Sequence, residues 1–153
     1  MQPLDWALLP YSRYFDFSGR SSRAEYWYFT ALMWFVNLLI LLAQQLLGEA
    51  VEGVLVLVNA LFGLGTFIPS ISVTVRRLHD INRSGLVLLA YGLGICAVVG
   101  LIPVAAAIGS FAVGLMILGA VVLSVKFLIL TVTEGDRGPN PYGSSPYGLT
   151  YGY

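Results

Sequence analysis

Apolar residues in this chain gather into four long blocks, each about the length of a membrane span and each closed by polar residues. The first block runs from Tyr26 to Leu47 and is interrupted by Asn37, Gln44 and Gln45. At helical rise its residues cover about 33 Å, enough to cross a hydrocarbon core of about 30 Å. The second runs from Val54 to Val75, the third from Leu86 to Ala106 and the fourth from Ser110 to Thr131, with a tight turn around Gly109. The pattern predicts an all-α polytopic membrane protein with four transmembrane helices in two hairpins. The spacing Ser22-Arg23-Ala24-Glu25 predicts a capping box that starts the first helix, with Ser22 as N-cap. An acidic connection, Gly48 to Gly53, joins the first two spans, and a polar link, Arg76 to Gly85, joins the next two. Pro103 is expected to bend or end the third span. The chain thus divides into an N-terminal segment (1–25), a membrane domain (26–131) and a tail (132–153). Aromatic residues in the N-terminal segment suit the membrane interface. The tail is rich in Gly, Pro, Ser and Tyr, a composition that reads as turn-rich or disordered.

Charge turns this pattern into a topology. Only 10% of the 153 residues are charged, against about 25% in soluble domains, which excludes a soluble enzyme. All eight basic residues fall on one side of a four-span arrangement: Arg13, Arg20, Arg23, Arg76, Arg77, Arg83, Lys126 and Arg137. The other side carries Glu49 and Glu52 and no base. By the positive-inside rule both termini are cytoplasmic. The net charge is zero, which leaves no global attraction to nucleic acid. Cys96 is the single cysteine, so no internal disulfide forms and no thiolate metal cluster is expected. The first 25 residues lack the basic-then-apolar order of a cleavable signal peptide.

Three segments, taken in order around these spans, carry a resemblance. They are Phe17-Ser18-Gly19-Arg20 through Arg23-Ala24-Glu25-Tyr26-Trp27, then Arg76-Arg77-Leu78-His79-Asp80 with Arg83-Ser84-Gly85, then Gly138-Pro139-Asn140-Pro141-Tyr142-Gly143 with Pro146. Together they resemble the domain of unknown function 805 family, the YhaH-like small bacterial inner-membrane proteins, over about Tyr14 to Pro146. Two departures are visible: Leu86-Val87 where many relatives carry tryptophan, and Ser144-Ser145 where an acidic Pro-Asp is more usual. The resemblance implies a multi-pass protein of the bacterial inner membrane. It implies no reaction, cofactor or ligand.

The candidate chemistry lies at the basic face. Arg20, Arg23, Arg76, Arg77, His79, Asp80 and Arg83 meet one surface there and could form a site for a lipid phosphate or another anion, since guanidinium pairs with phosphate through two hydrogen bonds. Ion pairing with Glu25 and Asp80, together with topology setting, explains the same residues without a ligand. His79 is the only histidine, and its neighbour Asp80 would not face it on a helix. Asn37 and Asn59 lie within spans, where amides join helices for about 0.6–2 kcal/mol each. Lys126 reads as a snorkelling side chain. Pro69 frees the Gly65 carbonyl, with Ser70, Ser72 and Thr74 at hand to satisfy it. Gly92, Cys96 and Gly100 form a small-residue stripe on the third span, with the fourth span favoured as its partner over a second copy.

No catalytic set, cofactor motif or metal-ligand spacing is evident, which weighs against an enzyme. The leading expectation is a non-enzymatic membrane assembly protein that associates with itself or with other envelope membrane proteins. A lipid- or anion-binding protein at the basic face, or an enzyme there on a membrane-embedded substrate, is the alternative. A small transporter or channel component comes third, because no carboxylate or basic pair lies at mid-membrane depth.

Overall fold

The computed structural model describes residues 2–146, and over them it is helical with no strand. The helices are α1 (Pro3–Ser12), α2 (Arg23–Leu47), α3 (Glu49–Asp80), α4 (Leu86–Ile108) and α5 (Ser110–Val132). The last four are long and apolar enough to cross a membrane.

α2 begins where the capping pattern places it. Ser22 takes extended backbone, and its Oγ accepts the Glu25 N–H at 3.1 Å. The acidic stretch that follows α2 is helix rather than loop. Gly48 alone reverses the chain, at a φ of +69° that a side chain would strain, and α3 starts at once with Glu49. α3 then continues through Arg76 to Asp80, so half of the polar link is helical too. Its 32 residues extend about 48 Å, well beyond a hydrocarbon core of about 30 Å. Pro103 neither ends nor replaces a turn of α4, which runs on to Ile108 before Gly109 turns the chain at φ +141°.

The N-terminal segment holds a helix that the apolar pattern did not predict. Pro3 suits the first helical position, and the Asp5 carboxylate accepts the Gln2 N–H at 2.7 Å. α1 packs on α2: the Tyr11 ring meets Phe29 edge-on at 5.8 Å, and its hydroxyl donates to Met33 Sδ at 3.7 Å. Met33 lies about 15 Å along α2 from Arg23, so this segment reaches well past the start of that helix. Phe29, Met33 and Val73 form a small apolar core, with Tyr11, Tyr26, Leu32 and Phe62 against it. The Gly65 carbonyl freed by Pro69 receives the Tyr14 hydroxyl at 3.1 Å. Ser70 and Thr74, expected to serve it, donate instead to the carbonyls of Thr66 and Ser70, one turn back from each.

α4 and α5 pack mainly on each other. Tyr91 lies against Phe127 at 5.3 Å, and a Cβ on Gly94 would touch Leu123 at 3.4 Å. The expected packing of the small-residue stripe on the fourth span is not what forms. Gly92, Cys96 and Gly100 are exposed, and a Cβ added at either glycine would meet nothing within 4 Å. The helical offset explains this: Gly94, two residues from Gly92, is turned about 160° away from it, so only one of the two can face α5. No residue in the most apolar stretches of α4 and α5 is buried.

Candidate functional site: a buried charge cluster

The interior of this protein is polar at one end. Arg20, Ser21, Ser22, Glu25, Ser72, Arg76, Arg77, Asp80 and Thr131 are buried, several of them completely. Burial of so many charges requires partners, and the chain supplies them from four separate segments.

Asp80, in the last turn of α3, is the hub. Its Oδ1 lies 3.0 Å from Arg20 Nε and 2.9 Å from Arg20 Nη2, and its Oδ2 pairs with Arg77 Nη1. Arg77 sits one turn before Asp80, so both face the same way. Its remaining donors go to the end of α5: Nε to the Thr131 carbonyl at 2.9 Å and Nη2 to the Thr133 carbonyl. The last carbonyls of a helix have no partner within it and carry its negative dipole end, so a guanidinium is the natural cap. Arg20 does the same for the tail, donating to the carbonyls of Gly138 at 2.7 Å, Gly143 at 3.4 Å and Asp136. One carboxylate and two guanidiniums thereby join the N-terminal segment, α3, α5 and the tail.

The tail is consequently docked over residues 134–146, where its composition suggested a turn-rich or disordered stretch; residues 147–153 lie outside the described ones. The Asp136 N–H donates to the Asp80 carbonyl at 2.9 Å, and Asn140 Nδ2 donates to the His79 carbonyl at 2.9 Å. Tyr142 stacks on the His79 ring, 3.9 Å between centroids and 6° from parallel. His79 Nδ1 faces the Gly19 carbonyl at 3.1 Å, which places the proton on that nitrogen. The Asp80 and Glu25 carboxylates are both engaged by arginines.

Arg76 forms a second, separate pair. Its Nη1 stands 2.9 Å from Glu25 Oε1, close enough for charge contact but off the direction of a hydrogen bond. Among the described residues, Arg76 Nη1 and Nη2, Glu25 Oε1 and Ser21 Oγ are buried without a hydrogen-bond partner, while Arg76 Nε reaches the Ser72 carbonyl at 3.4 Å.

The seven residues expected to capture an anion therefore separate. Arg20, Arg76, Arg77 and Asp80 are enclosed and engaged with one another, Glu25 or the backbone, so their charges face inward. That placement turns these four charges toward one another and the backbone. His79 is partly buried under Tyr142, and only Arg23 and Arg83 stand exposed. Ser22 caps and Glu25 pairs, as described. Asn37 donates to the Met33 carbonyl of its own helix at 2.8 Å rather than across helices, and Asn59 is exposed. Lys126 is exposed on α5, while Glu134 pairs with Arg137 at 3.5 Å. Sequence reasoning gave no site role to Tyr14, Thr131, Asn140 or Tyr142, although Asn140 and Tyr142 stand in the motif that carries the resemblance. The freed carbonyl behind Pro69 was the signal for a hydroxyl such as that of Tyr14.

The profile of the family described as "Protein of unknown function (DUF805)" matches residues 14–144. The chain belongs to the DUF805 family. That match runs from Tyr14 to just past Tyr142, so the DUF805 region contains every member of the cluster. Inner membrane protein YhaI of Escherichia coli strain K12 is 32% identical over 143 residues, covering 94% of this chain and 96% of that one. Inner membrane protein YhaH of the same strain is 33% identical over 81 residues, 53% of this chain and 67% of its own length. The uncharacterized protein YiiR is 30% identical over 142 residues, 90% of each chain. No solved structure matches. This DUF805 chain is an integral protein of the inner membrane, in a family without an assigned molecular function.

Proposed function

We propose that the chain is a non-enzymatic membrane assembly protein that self-associates through α4 and α5. In this reading α2–α3 and α4–α5 form two transmembrane hairpins with both termini cytoplasmic, so that the charge cluster lies at the cytoplasmic end. The segregation of all eight basic residues from Glu49 and Glu52 supports that orientation.

One observation carries the assembly reading. A groove of about 430 Å³ runs along α4 and α5, with Gly92, Cys96 and Ser124 as small residues between Leu88, Tyr91, Ile95, Leu123 and Phe127. In a bilayer, helices associate by close packing, and small residues let backbones approach. A Cβ added at Gly92 or Gly100 would meet nothing within 4 Å, so packing inside the chain does not demand a glycine at either position. A helix from a second copy fits such a surface. The candidate chemistry, by contrast, is spent inside the molecule.

The test is particle mass in lipid nanodiscs. Wild type is expected as a dimer, and Gly92→Ile with Gly100→Ile as a folded monomer, because a Cβ at either position meets nothing within 4 Å. A monomeric wild type, or dimers that survive both substitutions, would refute the reading. Orientation has its own check: a periplasm-active reporter fused after Gly48 should be active, and one fused after Asn82 silent.

A further inference from the structure

A second cavity lies away from both the charge cluster and the α4–α5 groove. It is a crevice of about 190 Å³ between α2 and α3, lined by Tyr26, Phe29, Thr30, Met33, Trp34, Ser70, Val73 and Thr74. Its chemistry changes with depth. Arg23, Tyr26, Thr30, Met33 and Trp34 follow one another on a single face of α2, at spacings of three, four, three and one residues. At helical rise Tyr26 lies about 4.5 Å below Arg23, Thr30 about 10 Å and Trp34 about 16 Å.

Arg23 is exposed and, among the described residues, has no ion pair or hydrogen bond. It thus differs from Arg20, Arg76 and Arg77, whose charges are engaged inside. Below it comes a band of hydroxyls. Those of Thr30, Ser70 and Thr74 donate to the carbonyls of Tyr26, Thr66 and Ser70 at 2.8, 2.7 and 2.6 Å. Their hydrogens are spent, and each presents only lone pairs to the crevice. The Tyr26 hydroxyl faces the hydroxyls of Thr30, Thr74 and Thr131. Deeper still the lining is Phe29, Met33 and Trp34, and the Trp34 ring is largely exposed. Each hydroxyl oxygen keeps acceptor capacity that a hydrated ester zone can use and an acyl chain cannot.

The order of cation, hydroxyl band and apolar wall is the order of phosphate, glycerol-ester zone and acyl chain in a bilayer lipid. We infer that this crevice seats one glycerophospholipid, with its phosphate on Arg23, its hydrated ester zone beside Tyr26, Thr30, Ser70 and Thr74, and one acyl chain along Met33 and Trp34. The crevice opens along the spanning part of α2 and α3, so the bilayer itself is the source. A guanidinium holds a phosphate by charge-assisted hydrogen bonds. This inference does not rest on self-association, and either can fail without the other.

The test titrates phosphatidylglycerol into the purified full-length protein in mild detergent, with native mass spectrometry as the readout. Wild type is expected to retain one lipid per chain. Arg23→Ala should weaken retention about tenfold, corresponding to the loss of a charge-assisted hydrogen bond. Ser70→Leu, which fills the crevice, should weaken it comparably, while Arg83→Ala, exposed elsewhere, should stay within about twofold of wild type. Millimolar inorganic phosphate should not displace the lipid. Retention unchanged in Arg23→Ala, a loss in Arg83→Ala equal to that in Arg23→Ala, or displacement by inorganic phosphate would each overturn the inference. So would full retention in a folded Ser70→Leu, since headgroup capture alone would then suffice.

Discussion

Replacing Asp80 by Asn tests the charge cluster at its hub. The carboxylate lies 2.9 Å from Arg20 Nη2, pairs with Arg77 Nη1, and is completely buried with both partners essentially enclosed. Asn keeps the shape and removes the charge, which leaves two buried guanidiniums without a counter-ion. Breaking a buried pair from one side costs about 3–5 kcal/mol. At about 2–4 °C per kcal/mol for a chain of this size, the midpoint should fall by about 6–20 °C. The assay is reversible unfolding in mixed detergent micelles, followed by the fluorescence of Trp6, Trp27 and Trp34. Glu134→Gln is the reference, because its pair with Arg137 is exposed, 3.5 Å long and worth less than about 1 kcal/mol. Adding Arg77→Met to Asp80→Asn should recover part of the loss by removing one uncompensated charge. If Asp80→Asn unfolds within about 1 kcal/mol of wild type, the carboxylate is not the counter-ion described. A further loss on adding Arg77→Met would contradict the reasoning as well.

Three smaller perturbations address neighbouring parts of the fold. A Cβ on Gly135 would collide with the Asp80 carboxylate, whereas one on Gly138 would meet nothing within 4 Å. Gly135→Ala should therefore loosen the tail by about 1–3 kcal/mol and speed tryptic cleavage after Arg137, with Gly138→Ala unchanged at that bond. Tyr14→Phe should cost about 0.5–1.5 kcal/mol by leaving the Gly65 carbonyl unpaired. The cost should shrink in a Pro69→Ala background, where a helical N–H takes the place of the hydroxyl; equal costs in both backgrounds would argue against the pairing. The Asp16 carboxyl is held below its ordinary value, chiefly by the Ser18 hydroxyl 2.6 Å away. Its contribution to stability is present above the unfolded carboxylate pKa of about 3.9 and is lost as pH falls through the lower folded value. Carboxyl-detected NMR should show Ser18→Ala moving that titration upward.

Much of the architecture was legible because membrane spans are written in composition. Four uncharged apolar blocks have little alternative to crossing a bilayer, and Ser22 announces the start of α2 through its spacing to Glu25. Boundaries were less legible where one residue does the work of a loop. Gly48 reverses the chain alone, so the acidic stretch from Glu49 was free to be helix. The tail was obscure for a different reason. It docks through the carbonyls of Asp136, Gly138 and Gly143 rather than through side chains, and composition says nothing of carbonyls. The charged residues themselves stood out, but their pairing did not. Whether Arg20 meets a lipid phosphate or Asp80 depends on how far the N-terminal segment folds back over α3, and that distance is set by Tyr11 and Tyr14 inside the membrane domain.

The claim that these charges are spent inward, leaving the α4–α5 surface for a second copy, comes down to the position of one atom. Cys96 is the only cysteine, it is exposed, and it lines the proposed self-association groove. Oxidative cross-linking of the wild-type chain in native membranes should give a disulfide-linked dimer through Cys96 Sγ, and Gly92→Ile should abolish it. A chain that stays monomeric under oxidant, with Cys96 still open to a small membrane-permeant thiol reagent, would contradict that claim.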